Sequence, residues 1–308
     1  MNSSTEKAHA DISGDRWRTA CGADRVRPAK TVVRLLLRTA DYLALAFVTA
    51  IFLVPLLWML GSSFRTQAEI FQYSYPLSIK TFVPQQAILE NYRSIFVDRE
   101  FGRFLWNSLI VAIAMVALSW YVNSAAAFAI SRMRFRGKNA IYLIIVSTML
   151  VPLEATIVPT YLVARSLRME DTLVALVIPW VAEPFAIFLL KQVIDEIPRD
   201  LDDAAKVDGA SPLQIYRSVV LPNIYPAQVT VAIMKFLWAW SGFFWPLVVI
   251  NSKENMVLPV AIATLFTQSQ TFWGEIFAAA TVAVVPVAVV FIFLQRYYIR
   301  GIVMSGFK

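Results

Sequence analysis

Asp203-Ala204-Ala205-Lys206-Val207-Asp208-Gly209-Ala210-Ser211-Pro212, running on to Val219-Val220-Leu221-Pro222, is a polar island between two long apolar blocks. It reads as two short helices joined at a glycine. Pro198 suits a first helical turn, where its missing N–H costs nothing. Asp200, Asp202 and Asp203 then sit near the positive end of the helix dipole. Gly209 is the natural stop, because glycine enters the left-handed region without a Cβ clash. Ser211 and Pro212 form an N-cap and first-turn pair that opens the second helix. On that helix Leu213, Tyr216, Val219 and Val220 recur at helical period as an apolar stripe, and Pro222 is expected to end it.

Such a pair also occurs in DNA-binding helix-turn-helix units, which share the glycine turn. Residues 195–208 argue against nucleic acid, because they carry six acids and two bases and would repel phosphate. The blocks on either side decide the class. The chain has 308 residues, of which 58% are hydrophobic and 16% charged, and its mean hydropathy is +0.60. A soluble domain is nearer to about a quarter charged. That much apolar sequence requires a second apolar solvent, so the chain is an all-α polytopic membrane protein. The net charge of +7 then fits basic loops on one side of a bilayer.

Catalytic chemistry finds little to work with. The single cysteine, Cys21, and the single histidine, His9, both lie in the N-terminal tail. An intrachain disulfide, a His/Cys metal cluster and a Ser/His/Asp or Cys/His centre in the membrane body are therefore excluded. No G-x-x-x-x-G-K-[ST] stretch occurs, so ATP and Mg are used by another chain. Residues 1–34 are polar, without apolar period, and read as a disordered tail without a signal peptide's apolar core.

Six apolar segments follow, at roughly 40–61, 104–130, 139–164, 172–193, 224–250 and 275–296, each long enough for a bilayer of about 30 Å. Prolines 55, 152, 159, 179, 184, 246 and 286 fall within them, as packed membrane helices allow. Tyr42, Trp58, Trp106, Tyr142, Trp245 and Tyr297 stand near segment ends, where interfacial aromatics belong. Arg25, Arg27, Lys30, Arg34 and Arg38 in the tail share one side with Arg132, Arg134, Arg136 and Lys138 after the second segment. The 194–223 loop and the C-terminal Arg296, Arg300 and Lys308 fall there too, if both termini are cytoplasmic. Of the outside loops, 62–103 is rich in aromatics (Phe71, Tyr73, Tyr75, Phe82), which suit either a docking surface or packing on the protein's own rim.

The island also resembles the "EAA" signature of bacterial ABC importer permeases: E-A-A, three residues, G, nine residues, I-x-L-P. Here it is Asp203-Ala204-Ala205, then Gly209, then Val219-Val220-Leu221-Pro222, with Asp for Glu and Val for Ile. Asn91-Tyr92, Asn107-Ser108-Leu109, Ser124–Phe135, Pro159-Thr160-Tyr161, Ile197-Pro198, Trp240–Leu247 and Gly301–Lys308 are similar to the smaller permease of maltose-type carbohydrate importers (MalG-like). The resemblance covers roughly 35–308. It departs at Trp240-Ser241-Gly242, where the family carries Trp-Asn-Asp or similar, so no substrate contact is carried over there. It implies an importer permease (MetI-like) fold of six transmembrane helices, with 198–222 as a cytoplasmic coupling loop docking into a groove on the ATPase through Asp203, Ala204, Ala205, Gly209, Ser211, Pro212, Leu213, Tyr216, Leu221 and Pro222. It also implies a homologous second permease, a cytoplasmic ABC ATPase dimer, an extracytoplasmic solute-binding protein and alternating access. The cargo is then a sugar, oligosaccharide, polyol or glycerophosphodiester, and the site of action the bacterial inner membrane.

Glu154, Glu183 and Lys235 lie well inside apolar segments. A mid-bilayer charge costs about 2.5–3.5 kcal/mol on insertion scales, so each must face protein or water. They read either as a polar translocation path or as a structural pair of Lys235 with one glutamate. Trp238, Trp240, Ser241 and Trp245 offer aromatic faces and a hydroxyl to a sugar, or simply pack. Two other classes stay open: an ion-coupled secondary transporter relaying through Glu154, Glu183 and Lys235, and a membrane-bound scaffold docking through 198–222. Purification separates them: an importer permease should bring down an ATPase and a second permease, and neither of these two would. The topology is testable: cysteines at Gly137 and Ser211 should react only with membrane-permeant reagents, and one at Ser78 with impermeant ones. Labelling at Ser211 from outside intact cells would overturn it.

Overall fold

Backbone polar groups find no partners in hydrocarbon, so apolar stretches of this length must close their hydrogen bonds within themselves. The computed structural model describes residues 28–76, 78–266 and 271–306, with side-chain surroundings from Leu37 to Leu294. Every regular element among them is helical. His9, Cys21, Phe307 and Lys308 lie outside the described residues, as does the tail up to residue 27. Residues 28–34, expected in that tail, are instead the first turns of α1 (Pro28–Ser63).

The chain divides into two units, Met1–Leu56 and Leu57–Lys308. In the first, α1 is apolar all round from Leu37 onward apart from Arg38 and Asp41, as a membrane span requires. The second holds everything else. Three short helices, α2 (Gln67–Gln72), α3 (Ile79–Phe82) and α4 (Glu90–Arg93), lead into the long α5 (Phe101–Arg132). Then come α6 (Lys138–Ser147), α7 (Leu153–Ser166), α8 (Leu173–Val177), α9 (Pro184–Glu196), α10 (Arg199–Val207) and α11 (Pro212–Ile215). The chain ends in α12 (Leu221–Ser241), α13 (Phe244–Val249), α14 (Leu258–Phe266) and α15 (Trp273–Gly306).

Four unbroken helices are long and apolar enough to cross a membrane: Leu37–Ser63, Phe101–Arg132, Pro212–Ser241 and Trp273–Leu294. The third and fourth expected spans are each a bent pair. Lys138–Leu150 meets Leu153–Ser166 at 110°, and Leu173–Trp180 meets Pro184–Glu196 at 44°. Proline explains both breaks, because it pushes the preceding residue out of helical ψ. Val151 stands at ψ 118° before Pro152, and Glu183 at ψ 114° before Pro184. Pro55, Pro159, Pro226 and Pro286 remain inside helices. The fifth span also moves: it begins at Pro212 rather than 224 and stops at Ser241, leaving α13 as a separate helix. Trp245, expected at an interface, is buried in α13.

All three apolar cores share α5. Phe101 and Phe104 pack with Phe236, Leu258 and Ile276. Met115 packs with Leu176, Val249 and Val260. Phe128 packs with Leu190, Ile194, Tyr216 and Ile224. Polar side chains satisfy the irregular backbone around this axis. Asn107 donates to the carbonyls of Glu254 and Met256 (2.8 and 2.9 Å), and Ser108 accepts from the Leu258 N–H (2.8 Å). Asn91 donates to the carbonyls of Ser63 and Arg65. Asp171 accepts from the backbone N–H and the hydroxyl of Ser252 and from the Asn251 N–H, which hold its carboxyl below the usual aspartate range. Of the loop aromatics, Tyr92 is engaged by Ser63 and Phe64, whereas Tyr75 stands exposed.

The end of α1 passes directly beneath α3. A Cβ on Gly61 would lie 2.0 Å from the carbonyl oxygen of Phe82. Gly61→Ala should therefore cost about 1–3 kcal/mol of stability through forced backbone displacement. An unchanged thermal midpoint in detergent would contradict this packing.

Candidate functional site

The 198–222 loop is built from local chain chemistry. In α10, Asp200 and Asp202 occupy the first turn and Lys206 the last. Gly209 adopts φ +83°. Its N–H donates to the Lys206 carbonyl (3.0 Å), and that of Ala210 to Ala205 (2.9 Å), the two bonds of a Schellman stop. Two residues on, the Ser211 N–H donates to Gln214 Oε1 (2.7 Å) while Ser211 Oγ accepts from the Gln214 N–H (3.4 Å), a reciprocal capping box with Pro212 in the first turn. Stop and start thus enclose the turn without help from distant residues.

Beyond it two expectations fail. Pro222 does not end the helix; α11 runs through a π turn at Tyr216–Val220 straight into α12. The wider turn accommodates a proline that offers no N–H to the preceding turn, and Pro222 lies at the start of α12, where that absence matters least. Leu213 is not on the buried stripe either. It is 55% exposed, and Ile215 takes the inner place with Tyr216 and Val220. Tyr216 stacks on Phe128 at 5.3 Å, and its hydroxyl shares a 2.6 Å hydrogen bond with Ser124.

The opposite face is open. Asp203, Ala204, Gly209, Ser211, Pro212 and Pro222 are exposed, while Ala205 and Leu221 are half-buried. Leu201, Val207 (88% exposed) and Leu213 present apolar side chains. Asp203 accepts from Lys206 at 2.7 Å, and this hydrogen bond together with the ammonium charge holds its carboxyl below the usual range.

The second constellation forms where the fourth span breaks. Lys235, 3% exposed on α12, meets Glu183 at 2.9 Å and lies 4.9 Å over the ring of Trp238. Trp180 packs 5.5 Å from Trp238, and its indole N–H is buried without a partner. Trp180, Glu183, Phe185, Lys235 and Trp238 line a cleft of about 370 Å³. The break itself is satisfied from α5: Ser119 donates to the Val181 carbonyl (2.6 Å), and Asn123 Oδ1 accepts from the Glu183 N–H (2.9 Å).

The other expected path residues are distributed differently. Glu154 is exposed in the first turn of α7 and takes part in no ion pair among the described residues. Trp240 turns toward α15, donating to the Ala283 carbonyl (3.0 Å) and stacking on Phe236. Trp245 donates to the Ala175 carbonyl at 2.9 Å. Both rings are core. Ser241 is exposed and donates to the Leu237 carbonyl, on the edge of a smaller hollow of about 210 Å³ that Trp238 also borders. Trp180, Ser119 and Asn123 were missed, although two polar side chains four residues apart in an apolar span are a legible signal.

Lys235→Met would strand the Glu183 carboxylate. The expected loss is on the order of 2–3 kcal/mol, below the roughly 3–5 for a fully buried pair, because the Glu183 side chain is 28% exposed. Lys235→Met/Glu183→Gln should recover most of it in thermal unfolding, and a neutral single variant would contradict the pair.

Comparison with known proteins places this architecture. Residues 28–303 match the family "Binding-protein-dependent transport system inner membrane component". The arabinooligosaccharides transport system permease protein AraQ of Halalkalibacterium halodurans is 31% identical over 264 residues, 85% of this chain and 94% of that protein. The diacetylchitobiose uptake system permease protein NgcG of Streptomyces coelicolor is 32% identical over 263 residues, 84% of each chain. A chain of a bacterial ABC transporter involved in import of the acidic polysaccharide alginate superposes with a TM-score of 0.75 at 22% identity, covering 85% of this chain and 96% of that one, a likeness of fold. This protein belongs to the binding-protein-dependent transport system inner membrane components and is a membrane-embedded permease subunit of an ABC importer.

Proposed function

We propose that this permease forms half of the translocation path for a sugar or related solute, with an oligosaccharide favoured over a polyol or glycerophosphodiester. An extracytoplasmic binding protein delivers the solute, a homologous permease supplies the other half of the path, and a cytoplasmic ABC ATPase dimer drives the cycle with ATP and Mg. This chain carries out no hydrolysis and binds no cofactor of its own. The cargo class follows its relatives, AraQ and NgcG, whose names specify oligosaccharides. The cleft at Glu183 and Lys235 suits it, since Trp180 and Trp238 supply apolar ring faces beside a charged pair.

The observation that carries the mechanism is the two-sided loop. Its inner face is fixed by Ile215, Tyr216 and Val220, and its outer face leaves Leu201, Val207 and Leu213 exposed around a capped turn. Exposed apolar side chains on a preformed element fit a groove on a partner. We place this loop and both termini in the cytoplasm, following the basic residues. ATP binding would draw the paired loops together and open the path outward, and hydrolysis would return it inward. The relay alternative is weaker, because Glu154 does not join Glu183 and Lys235.

Gly209→Val tests the assignment. Open space surrounds the site, so the cost falls on the backbone alone, about 1–3 kcal/mol at φ +83°. The variant should insert and express, yet either lose the ATPase from the purified complex or hydrolyse ATP without stimulation by loaded binding protein. Asp203→Ala should show a weaker form of the same defect. Wild-type transport with normal ATPase retention in Gly209→Val would refute the proposal.

A further inference from the structure

One guanidinium holds three helices at the root of the loop. Arg132 is the last residue of α5, and its side chain is 6% exposed. Its Nε stands 2.9 Å from Oδ2 of Asp202, in the first turn of α10 and itself 7% exposed. Its Nη2 donates to the carbonyls of Ile194 (3.0 Å) and Ile197 (2.6 Å), where α9 ends. Only a planar fork can reach a carboxylate and two carbonyls at once; a lysine offers one centre. Around it, Ser131 donates to Asp195, and Lys138 donates to the carbonyls of Ser131 and Met133.

Stability alone does not account for this pair. Buried ions are often no better than apolar side chains of equal volume. Here Nε and Oδ2 are close but not aligned as a hydrogen bond, and Oδ1 of Asp202 is buried and accepts nothing. A second observation lies further along the same helix. Ser119 and Asn123 of α5 hold the backbone at 181–183, the break that carries Glu183 to the cleft. Between Ser119 and Arg132 the sequence has neither proline nor glycine. A helix of that kind is stiff, and it separates the two grips by about 20 Å.

We propose that Arg132 and Asp202 form the joint through which displacement of the 198–222 loop becomes displacement of α5, and that α5 carries it to the break at 181–183. Arg132 is a positioning residue, touching neither solute nor nucleotide. The inference rests on the ATPase-docking role assigned to the loop above.

The test uses the full complex, with second permease and ATPase, in lipid nanodiscs. Cys21 is replaced by serine, and Ala182→Cys, exposed beside Glu183, reports the cleft through its rate of reaction with a charged maleimide. With Arg132 and Asp202 intact, ATP plus vanadate should change that rate about 5-fold or more relative to nucleotide-free complex. Arg132→Gln should lower the yield, because it leaves Asp202 as a lone buried charge. Arg132→Gln/Asp202→Asn should restore the yield and retain the ATPase, while the nucleotide-dependent change falls below about twofold and hydrolysis continues. Recovery of yield without recovery of response is the signature of transmission. If both recover, or if the double variant loses the ATPase, the joint is structural or part of the docking face and the inference is overturned. If the parent complex shows no nucleotide dependence, the docking role of the loop fails and takes the inference with it.

Discussion

Every interruption of a helix inside a bilayer exposes backbone groups that lipid cannot satisfy. This fold depends on one long helix that answers them. Asn107 and Ser108 hold the chain before α14, Ser119 and Asn123 hold the break in the fourth span, and Arg132 holds the end of α9. These residues all lie on α5, which also passes through all three apolar cores. Several stretches of irregular backbone therefore lie where α5 can reach them. The cleft sits at such a place, because a broken span is what brings Glu183 and Trp180 to face Lys235 and Trp238. The pattern accords with irregular membrane backbone being confined to protein-lined cavities.

The Glu183–Lys235 pair shows what burial allows. Lys235 is nearly enclosed, and its ammonium has both a carboxylate and the ring of Trp238 for compensation. Glu183 keeps 28% of its side chain exposed, so the pair is a wall of the cleft and not a sealed core bridge. That arrangement retains charge beside the cleft without leaving an unpaired ion in the membrane.

Much of this was legible in the sequence, and the rest failed for identifiable reasons. Gly209, Ser211 and Pro212 were read correctly because stop and cap signals are local: the left-handed glycine and the reciprocal Ser211–Gln214 bonds involve nothing beyond the loop. The all-helical class followed from composition. Pro222 was misread because a proline in the first turn of α12 gives up no helical hydrogen bond, and Leu213 because Ile215 takes the inner place beside Tyr216. The third and fourth spans were counted correctly as apolar stretches, but whether Pro152 and Pro184 break a helix or sit within it, as Pro159 and Pro286 do, depends on partners elsewhere. The interior charges were legible as a group, and their geometry was not: Glu183 pairs with Lys235, while Glu154 turns away. Trp240 and Trp245 were left open between path and packing, since an indole in an apolar run can face a path or a neighbour's carbonyl, and the distant carbonyls of Ala283 and Ala175 accept their N–H groups.

The two-bond glycine stop and the reciprocal serine–glutamine cap have a consequence for assembly. Because both are closed by residues within the 198–222 segment itself, the segment is shaped before anything touches it. Association then loses little conformational entropy at this contact, and encounter can proceed as rigid-body docking without a folding step. A surface prepared in this way can be released and re-engaged many times with its shape conserved, as a part that is pushed and pulled in every cycle requires.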